Sequence, residues 1–360
     1  MRILHIITSL RTGGAERLVT ELALRHGTAG DQVEVLLFDG SRTPLVEELE
    51  KCGIPVHALG MGPRAMYNPF LLPKLVRFLR KHAFDIVHTH NTSCQILTAL
   101  APVRFGITTE HGSQNRRRNW PWFKPIDRWM YGRYQKIVCV GEETRKTLSA
   151  WLNRPELDKR MTVIHNGIDP TSIAAATPAE DLARQDGYKV LMVSAFRPEK
   201  DQQTLIRAIS MLPKTYHLFL AGGAETPENR QVLEACLTLA KEQQDRITFL
   251  GIRTDIPALL AAADVIVLSS RHEGMSLSVL EAMAAAKPVV ASDVPGLSDL
   301  VGGAGVLVPP GDPEALARTI QDICENPGQA REIGRRCQER AQKYDIDETA
   351  RLYRQLYRKM

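Results

Sequence analysis

The chain reads as an α/β protein built of two doubly wound domains, each a parallel sheet covered by helices. Three observations predict this. Short apolar runs alternate with amphipathic stretches along the whole length, the pattern of parallel strands joined by helical crossovers. The 360 residues exceed what one core of ordinary size organises. The alternation also breaks once, over Asp169 to Gly187, where Pro170, Pro178 and an Ala-rich polar composition read as a linker.

In the first series, Ile3 to Ile7 is a strand, and Ala15, Leu18, Val19, Leu22 and Ala23 recur at helical spacing behind the Gly13-Gly14 turn. Val33 to Phe38, Ile86 to His90, Ile107 to Glu110 and Ile137 to Val140 continue it. The second series comprises Val190 to Ser194, His217 to Ala221, Ile247 to Leu250, Val265 to Ser269, Val289 to Ala291 and Gly305 to Val308. Asp345 to Met360 is helical by the spacing of Ala350, Tyr353, Leu356 and Tyr357. The expected domains are therefore 1–168 and 169–344, with a ligand crevice at the carboxyl ends of the strands.

Composition narrows the function classes. Apolar residues at 44% and charged residues at 24% exclude a disordered chain. No apolar run approaches the roughly 20 residues of a spanning helix, and Met1 to Ile7 lacks a signal-peptide layout. A cytoplasmic protein is expected. The six cysteines form no Cys-x-x-Cys pair, so buried free thiols are the default. A net charge of +5 is too mild to imply nucleic acid.

The chemistry concentrates at Glu273 and Glu281. Glu273 stands on a Gly274 turn after a strand; Glu281 lies inside the following helix. A helix start presents unpaired N–H groups and partial positive charge, so an anion can sit there. Two carboxylates nearby can hold sugar hydroxyls, which together suggests a nucleotide-sugar pocket. The bland alternative is one acidic residue favouring the helix dipole and one solvated Glu.

The ordered motifs resemble the family-4 glycosyltransferases. These are Thr12-Gly13-Gly14-Ala15-Glu16-Arg17, Asp85 to His90, Thr109-Glu110-His111-Gly112, Val163 to Asp169, and Glu273 to Glu281 followed by Ala282-Met283-Ala284. The resemblance implies the GT-B fold, two Rossmann-like lobes with an interdomain cleft, the last helix crossing back onto the first lobe. It implies an acceptor-binding first domain and a donor-binding second one. Glu273 is then expected on the donor-sugar hydroxyls, Glu281 on the ribose, and the backbone of Gly274, Met275, Ser276 and Leu277 on sugar and phosphate. The Gly14 amide is expected at the diphosphate. Gly251, Ile252 and Arg253 are expected at the base, and the His111 carbonyl at the reacting sugar. Plainer roles stay open for each: a strand-end cap for His111, a solvated loop residue for Arg253, a plain turn for Gly13-Gly14. The family's Gly-Arg-Leu…Lys-Gly pattern places its Lys at Lys200, but Ala195 stands at the Arg position and Asp201 at the final Gly. Arg197 either reaches the same phosphate or is a surface charge beside Glu199. A guanidinium there would fork onto two phosphate oxygens.

His88-x-His90 could put two ligands on one strand face, yet no carboxylate or cysteine cluster accompanies it, so no metal is expected. Arg116 to Tyr131 holds three of the four tryptophans among cations. It reads either as a buried aromatic cluster or as a surface for anionic lipid. The expected activity is retaining transfer from a nucleotide diphosphate sugar, UDP favoured and GDP possible, to a saccharide or lipid-linked saccharide in polysaccharide or glycolipid synthesis. No cofactor is expected beyond that donor, and the site would be peripheral at the inner face of the plasma membrane. The competing class is a non-catalytic nucleotide-sugar sensor or scaffold, which the loss of a phosphate contact at Ala195 would favour; an epimerase is a third.

Overall fold

The computed structural model describes residues 1–11, 13–60, 62, 68, 70–113 and 115–360, with the backbone alone at 116. Thr12 of the Gly13-Gly14 motif and the Arg116 side chain lie outside the described residues. The chain divides into two compact units, Met1–Gly167 together with Ile346–Met360, and Ile168–Asp345.

In the first unit, β1 (Arg2–Ile7), β2 (Gln32–Leu37), β3 (Val56–Ala58), β4 (Ile86–His90), β5 (Gly106–Glu110), β6 (Lys136–Cys139) and β7 (Met161–Val163) form one sheet in the order β3-β2-β1-β4-β5-β6-β7. In the second, β8 (Tyr188–Val193), β9 (Tyr216–Ala221), β10 (Ile247–Gly251), β11 (Val265–Leu268), β12 (Val289–Ser292) and β13 (Val306–Val308) run in the order β10-β9-β8-β11-β12-β13. Every pairing is parallel. Parallel strands buried on both faces need continuous apolar sequence. In β1, Ile3, Leu4, Ile6 and Ile7 are all fully buried. Because side chains alternate, Ile3 and Ile7 join Leu18, Val19 and Leu22 of the helix Gly14–Thr28 on one face, while Leu4 and Ile6 meet Leu71 and Leu75 on the other.

The sequence reading overlooked β3 and β7. Each has three residues at a sheet edge, too short to show a period. The stretch expected as a linker also carries two one-turn helices, Pro170–Ala174 and Glu180–Ala183. The first forms because Asp169 Oδ1 accepts from the amides of Thr171 and Ser172, both at 3.1 Å, with Pro170 opening the turn. Five cysteines are buried and free, but Cys52 is exposed at the end of the helix Pro44–Lys51.

The helix Ile346–Arg358 packs on the first unit's sheet through Ile346, Ala350, Tyr353 and Tyr357. It covers a polar stripe within the core. His5 pairs in register with His88, and His90 with Thr109. The hydroxyl of Tyr357 lies 2.7 Å from His88 Nδ1, and that of Tyr353 lies 3.2 Å from Thr109 Oγ1. Fully burying an Ile or Leu contributes roughly 1.5–3 kcal/mol, and mutual hydrogen bonding limits the cost of enclosing polar groups among them.

Burial pulls the His5 pKa from 6.5 to about 3, with His26 adding repulsion, and holds His88 and His90 well below the ordinary range. The unfolded chain therefore binds protons below pH 6.5 that the folded chain refuses, so stability is present above pH 6.5 and drains away as pH falls towards 3. The thermal midpoint is expected to drop steadily between pH 6.5 and 4. His5→Gln, which cannot titrate, should flatten that decline in a melting series; a variant curve parallel to the wild type would contradict the assignment.

Candidate active site

The second sheet reverses its strand order between β8 and β11, so the loops after these neighbouring strands splay apart and leave room for a ligand at their carboxyl ends. After β8, Phe196 is buried against Phe249 and its amide bonds the Gly223 carbonyl at 2.9 Å, which anchors the loop. Pro198–Lys200 then makes one 3₁₀ turn into Asp201. Asp201 has φ of 47°, the left-handed region that favours glycine and that Asp tolerates better than most residues. That conformation accounts for the glycine expected here and shows how an Asp replaces it.

The replacement brings a carboxylate with consequences. Asp201 Oδ2 accepts from Thr204 Oγ1 and from Arg271 Nε, each at 2.9 Å. The Arg271 amide bonds the Glu199 carbonyl at 2.8 Å, and Ser269 Oγ donates to the Asp201 carbonyl at 2.9 Å. These bonds stitch the loop after β11 to the loop after β8. Lys200 and Glu273 meet as a result: Lys200 Nζ donates to Glu273 Oε2, both side chains mostly shielded from solvent. Arg197, by contrast, is exposed, and among the described residues its guanidinium has no partner. It does not pair with Glu199.

Beyond Glu273, Met275 and Ser276 are buried, Gly274 and Leu277 are half-buried, and the helix Leu277–Ala284 begins. Val279, Leu280, Ala282 and Met283 bury one face of it, leaving Glu281 half-buried. Gly296, which the sequence reading missed, backs this turn. A Cβ there would sit 2.4 Å from the Glu273 carbonyl oxygen and 2.5 Å from that of Gly274. The Pro295-Gly296 start of the next helix was its only sequence signal.

Arg253 behaves differently from a ligand-seeking cation. Its guanidinium forks onto both Asp255 oxygens at 2.7 and 2.5 Å and onto Asp181 at 2.6 Å. Its hydrogen bonds hold both carboxyls below their ordinary range. The side chain is thus committed to fixing its own loop. Neighbouring Ile252 is 51% exposed and rests over Gly223.

The first sheet has its own switch point, between β1 and β4. Asn91 Nδ2 donates to Thr8 Oγ1 across it at 3.0 Å. A cavity of about 310 Å³ opens there, walled by Thr8, Asn91, Ser93, Gln95, Glu110 and His111 among others. Gly14 is exposed as the first residue of its helix, where amides have no intrahelical acceptor. His111 Nε2 lies 3.0 Å from His90 Nδ1. Burial lowers the His111 pKa to about 4 against the opposing pull of Glu110. Glu110 is itself buried. Desolvation pushes its pKa up, but Arg118 and Arg117 outweigh this and hold the carboxyl below its usual value.

His88 and His90 acquire His5 from the adjacent strand, a third imidazole that strand spacing could not reveal; their ligand atoms lie within 4.8 Å of one another. The nitrogens of His88 are engaged by Tyr357 and Thr109, and those of His90 by His5 and His111.

The aromatic segment splits in a way the sequence reading did not anticipate. Trp120, Trp122, Ile126 and Trp129 are exposed, while Met130 and Tyr131 are core. Two of its cations turn inward: Arg117 pairs with buried Asp127 at 2.9 Å, and Arg118 with Glu110 at 3.0 Å. Both are mostly buried, because unpaired Asp127 and Glu110 would be costly inside. Neither guanidinium is available to a lipid headgroup.

Gly296→Ala is expected to displace the 273–274 turn and cost about 1–3 kcal/mol of stability. Denaturant titration checks this; an unchanged midpoint would show that the turn yields freely.

The chain matches the family model for Glycosyltransferase Family 4 over residues 12–172 and that for Glycosyl transferases group 1 over residues 187–326. It is 26% identical over 351 residues to EpsD of Bacillus subtilis (strain 168), assigned as a glycosyltransferase, covering 90% of this chain and 89% of the relative. It is 27% identical over 250 residues to the Escherichia coli UDP-Gal:alpha-D-GlcNAc-diphosphoundecaprenol alpha-1,3-galactosyltransferase, covering 64% and 63%. The crystal structure of Anabaena HepE with UDP-glucose superposes with a TM-score of 0.88 at 22% identity over the whole of both chains. The chain belongs to the family-4, group-1 glycosyltransferases, an enzyme whose parallel sheets of seven and six strands are those of the GT-B fold.

Proposed function

We propose that the chain moves a sugar from a nucleoside diphosphate sugar, UDP-linked in preference to GDP-linked, onto a saccharide or lipid-linked saccharide with retention at the anomeric carbon. The observation that carries this reading is the contact of Lys200 with Glu273 at the β8/β11 switch point, beside the start of the helix Leu277–Ala284. A cation, a carboxylate and a helix N-terminus together match the charges of a diphosphate joined to a sugar. UDP-sugars are favoured because HepE was crystallised with UDP-glucose and the Escherichia coli relative is named for UDP-Gal.

In this reading Glu273 orients donor-sugar hydroxyls, and Lys200 with Arg197 balances the charge that builds on the departing diphosphate. Glu281 holds the ribose; the Gly14 amide and the backbone of residues 274–277 face phosphate and sugar. Ile252 and Arg253 contribute backbone, not side chain, to the base, since the Arg253 guanidinium is already paired. The His111 carbonyl serves the reacting carbon. The acceptor oxygen bonds to that carbon as its bond to the phosphate oxygen breaks, both on one face, and the acceptor proton passes to the departing phosphate. Preorganised charge commonly supplies several kcal/mol of such a barrier.

The first unit's cavity, lined by hydroxyl and amide groups, suits a hydroxyl-rich acceptor. Among the described residues no helix is long and apolar enough to cross a membrane. The exposed rings of Trp120, Trp122 and Trp129 support docking at the cytoplasmic face of a bilayer, which would bring a lipid-linked acceptor to the enzyme.

Mixing the protein with UDP- and GDP-sugars and a panel of acceptors should release nucleoside diphosphate; binding without release by any pair would favour a sensor instead. Lys200→Ala should lower kcat by about 10²–10³-fold. Glu281→Ala should weaken UDP binding about tenfold by calorimetry, and unaltered affinity would remove it from the ribose site. Replacing Trp120, Trp122 and Trp129 by Ala should abolish co-sedimentation with anionic vesicles. Retained binding would make the aromatic face irrelevant to membranes.

A further inference from the structure

We propose that a pocket between Arg133 and Arg160, at the end of the exposed aromatic face, holds the phosphate of an anionic phospholipid. Strands β5 and β6 are parallel neighbours, so the helix between them, Lys124–Gly132, runs from the carboxyl edge of the sheet back to its amino edge. The approach to this helix, through Glu110, His111 and Asn115, walls the first cavity. Its far end meets a second cavity of about 450 Å³, lined by Val103, Gly132, Arg133, Tyr134, Gln135 and Arg160. Among the described residues no carboxylate lines it.

The two guanidinium groups are held in place without being neutralised. Arg160 Nη1 donates to the carbonyls of Gly132 at 3.1 Å and Tyr134 at 2.9 Å, and Arg133 Nε donates to the Ala99 carbonyl at 3.3 Å. Gln135 fixes the backbone around them: its Oε1 accepts from the Gly106 amide at 2.6 Å and its Nε2 donates to the Arg104 carbonyl at 2.7 Å. Capping of the helix's last carbonyls accounts for one Arg160 nitrogen. It leaves Nε and Nη2 of Arg160, and both terminal nitrogens of Arg133, without a protein partner among the described residues. Arg133 is exposed and Arg160 half-buried, and these nitrogens are not sealed from solvent. The acidic residues just before Arg160 do not line the pocket, and Glu156 pairs with Arg154 at 3.4 Å. Fixed guanidinium groups with N–H donors to spare match the oxygens of a phosphate.

The adjoining surface selects a lipid over phosphate in solution. Trp122, Ile126 and Trp129 are exposed, and with Arg133 they recur at helical spacing as one stripe. Leu100, exposed at the end of the helix Thr92–Leu100, follows the carbonyl that Arg133 holds. An apolar stripe ending in cations is the pattern of a helix lying in the plane of a bilayer surface, its rings at headgroup level and its cations on lipid phosphate. The segment's other described cations are engaged elsewhere. Arg117 and Arg118 meet buried carboxylates, Arg128 Nε donates to the Leu152 carbonyl at 2.7 Å, and Lys124 lies 5.6 Å from the centre of the Trp151 ring. The Arg133–Arg160 pocket supplies the charge that this face otherwise lacks. Its assignment to a lipid rests on the membrane docking proposed above.

Co-sedimentation with vesicles of phosphatidylcholine alone, and of phosphatidylcholine with phosphatidylglycerol two to one, tests the site. The protein should bind the mixed vesicles roughly thirtyfold more tightly, about fivefold for each cation. Arg133→Gln combined with Arg160→Gln should lose that preference and keep the weaker binding to phosphatidylcholine that the tryptophans provide. Arg104→Gln combined with Lys136→Gln, which removes equal charge outside the pocket lining, should keep most of it. A preference that survives in the first variant, or falls equally in the second, would overturn the proposal. So would calorimetric binding of inorganic phosphate, lost in the first variant, without any vesicle preference; the ligand would then be phosphate in solution. Should Arg160→Gln fail to fold, Arg133→Gln, which gives up only the Ala99 contact, must still lower the preference about fivefold. Vesicle binding that needs the tryptophans but ignores both arginines would strike this site alone and leave the docking standing. Absence of binding to either vesicle would remove the docking and this site together, while nucleoside diphosphate release with soluble substrates tests the transfer reaction separately.

Discussion

Parallel pairing of strands that are distant in sequence governs both candidate sites. A parallel neighbour can be reached only by a crossover, and each sheet here grows outward in both directions from its first strand. Two adjacent loops must then leave the sheet in opposite directions. In the second unit they follow β8 and β11, and they carry Lys200 and Glu273, 73 positions apart in sequence, into contact. In the first unit they follow β1 and β4, where Thr8 and Asn91 meet.

The loops are held by more than topology. Asp201 adopts a left-handed conformation and uses its carboxylate to tether Arg271, so a residue unusual for its position becomes a fastening between two loops. Gly296 keeps the Glu273–Gly274 backbone close to the next helix, since any side chain would strike its carbonyls. Arg253 spends its charge on Asp181 and Asp255. Cations near the site thus divide into Arg253 and Arg271, which fasten loops, Lys200, which is paired with Glu273, and Arg197, which is exposed. This division bears on the proposed chemistry, because a developing phosphate charge is best met by groups whose positions are fixed before it appears.

The first unit encloses an unusual amount of polar chemistry. Imidazoles, tyrosine hydroxyls and threonines form a continuous stripe between the sheet and the last helix, and Glu110, Arg117, Arg118, Asp127 and Tyr131 form a second cluster near the cavity. Their partners are mostly one another, which keeps the cost of burial low. The same pairing removes Arg117 and Arg118 from the surface and leaves the neighbouring tryptophans as its main exposed feature.

Much of the architecture was legible in residue order alone. Apolar runs buried on both faces announce parallel strands, the repeat of Ala350, Tyr353 and Tyr357 announces a helical face, and the spacing of Glu273 and Glu281 marks a turn and helix. Three-residue edge strands and one-turn helices escaped notice because they complete no period. Side-chain partnerships were decided only in three dimensions. Lys200 with Glu273, Arg271 with Asp201, His5 with His90, and Arg118 with Glu110 all join different segments, and a strand's sequence fixes which side chains share a face but not which strand lies beside it. Local spacing encodes elements; register and crossover place charges against one another.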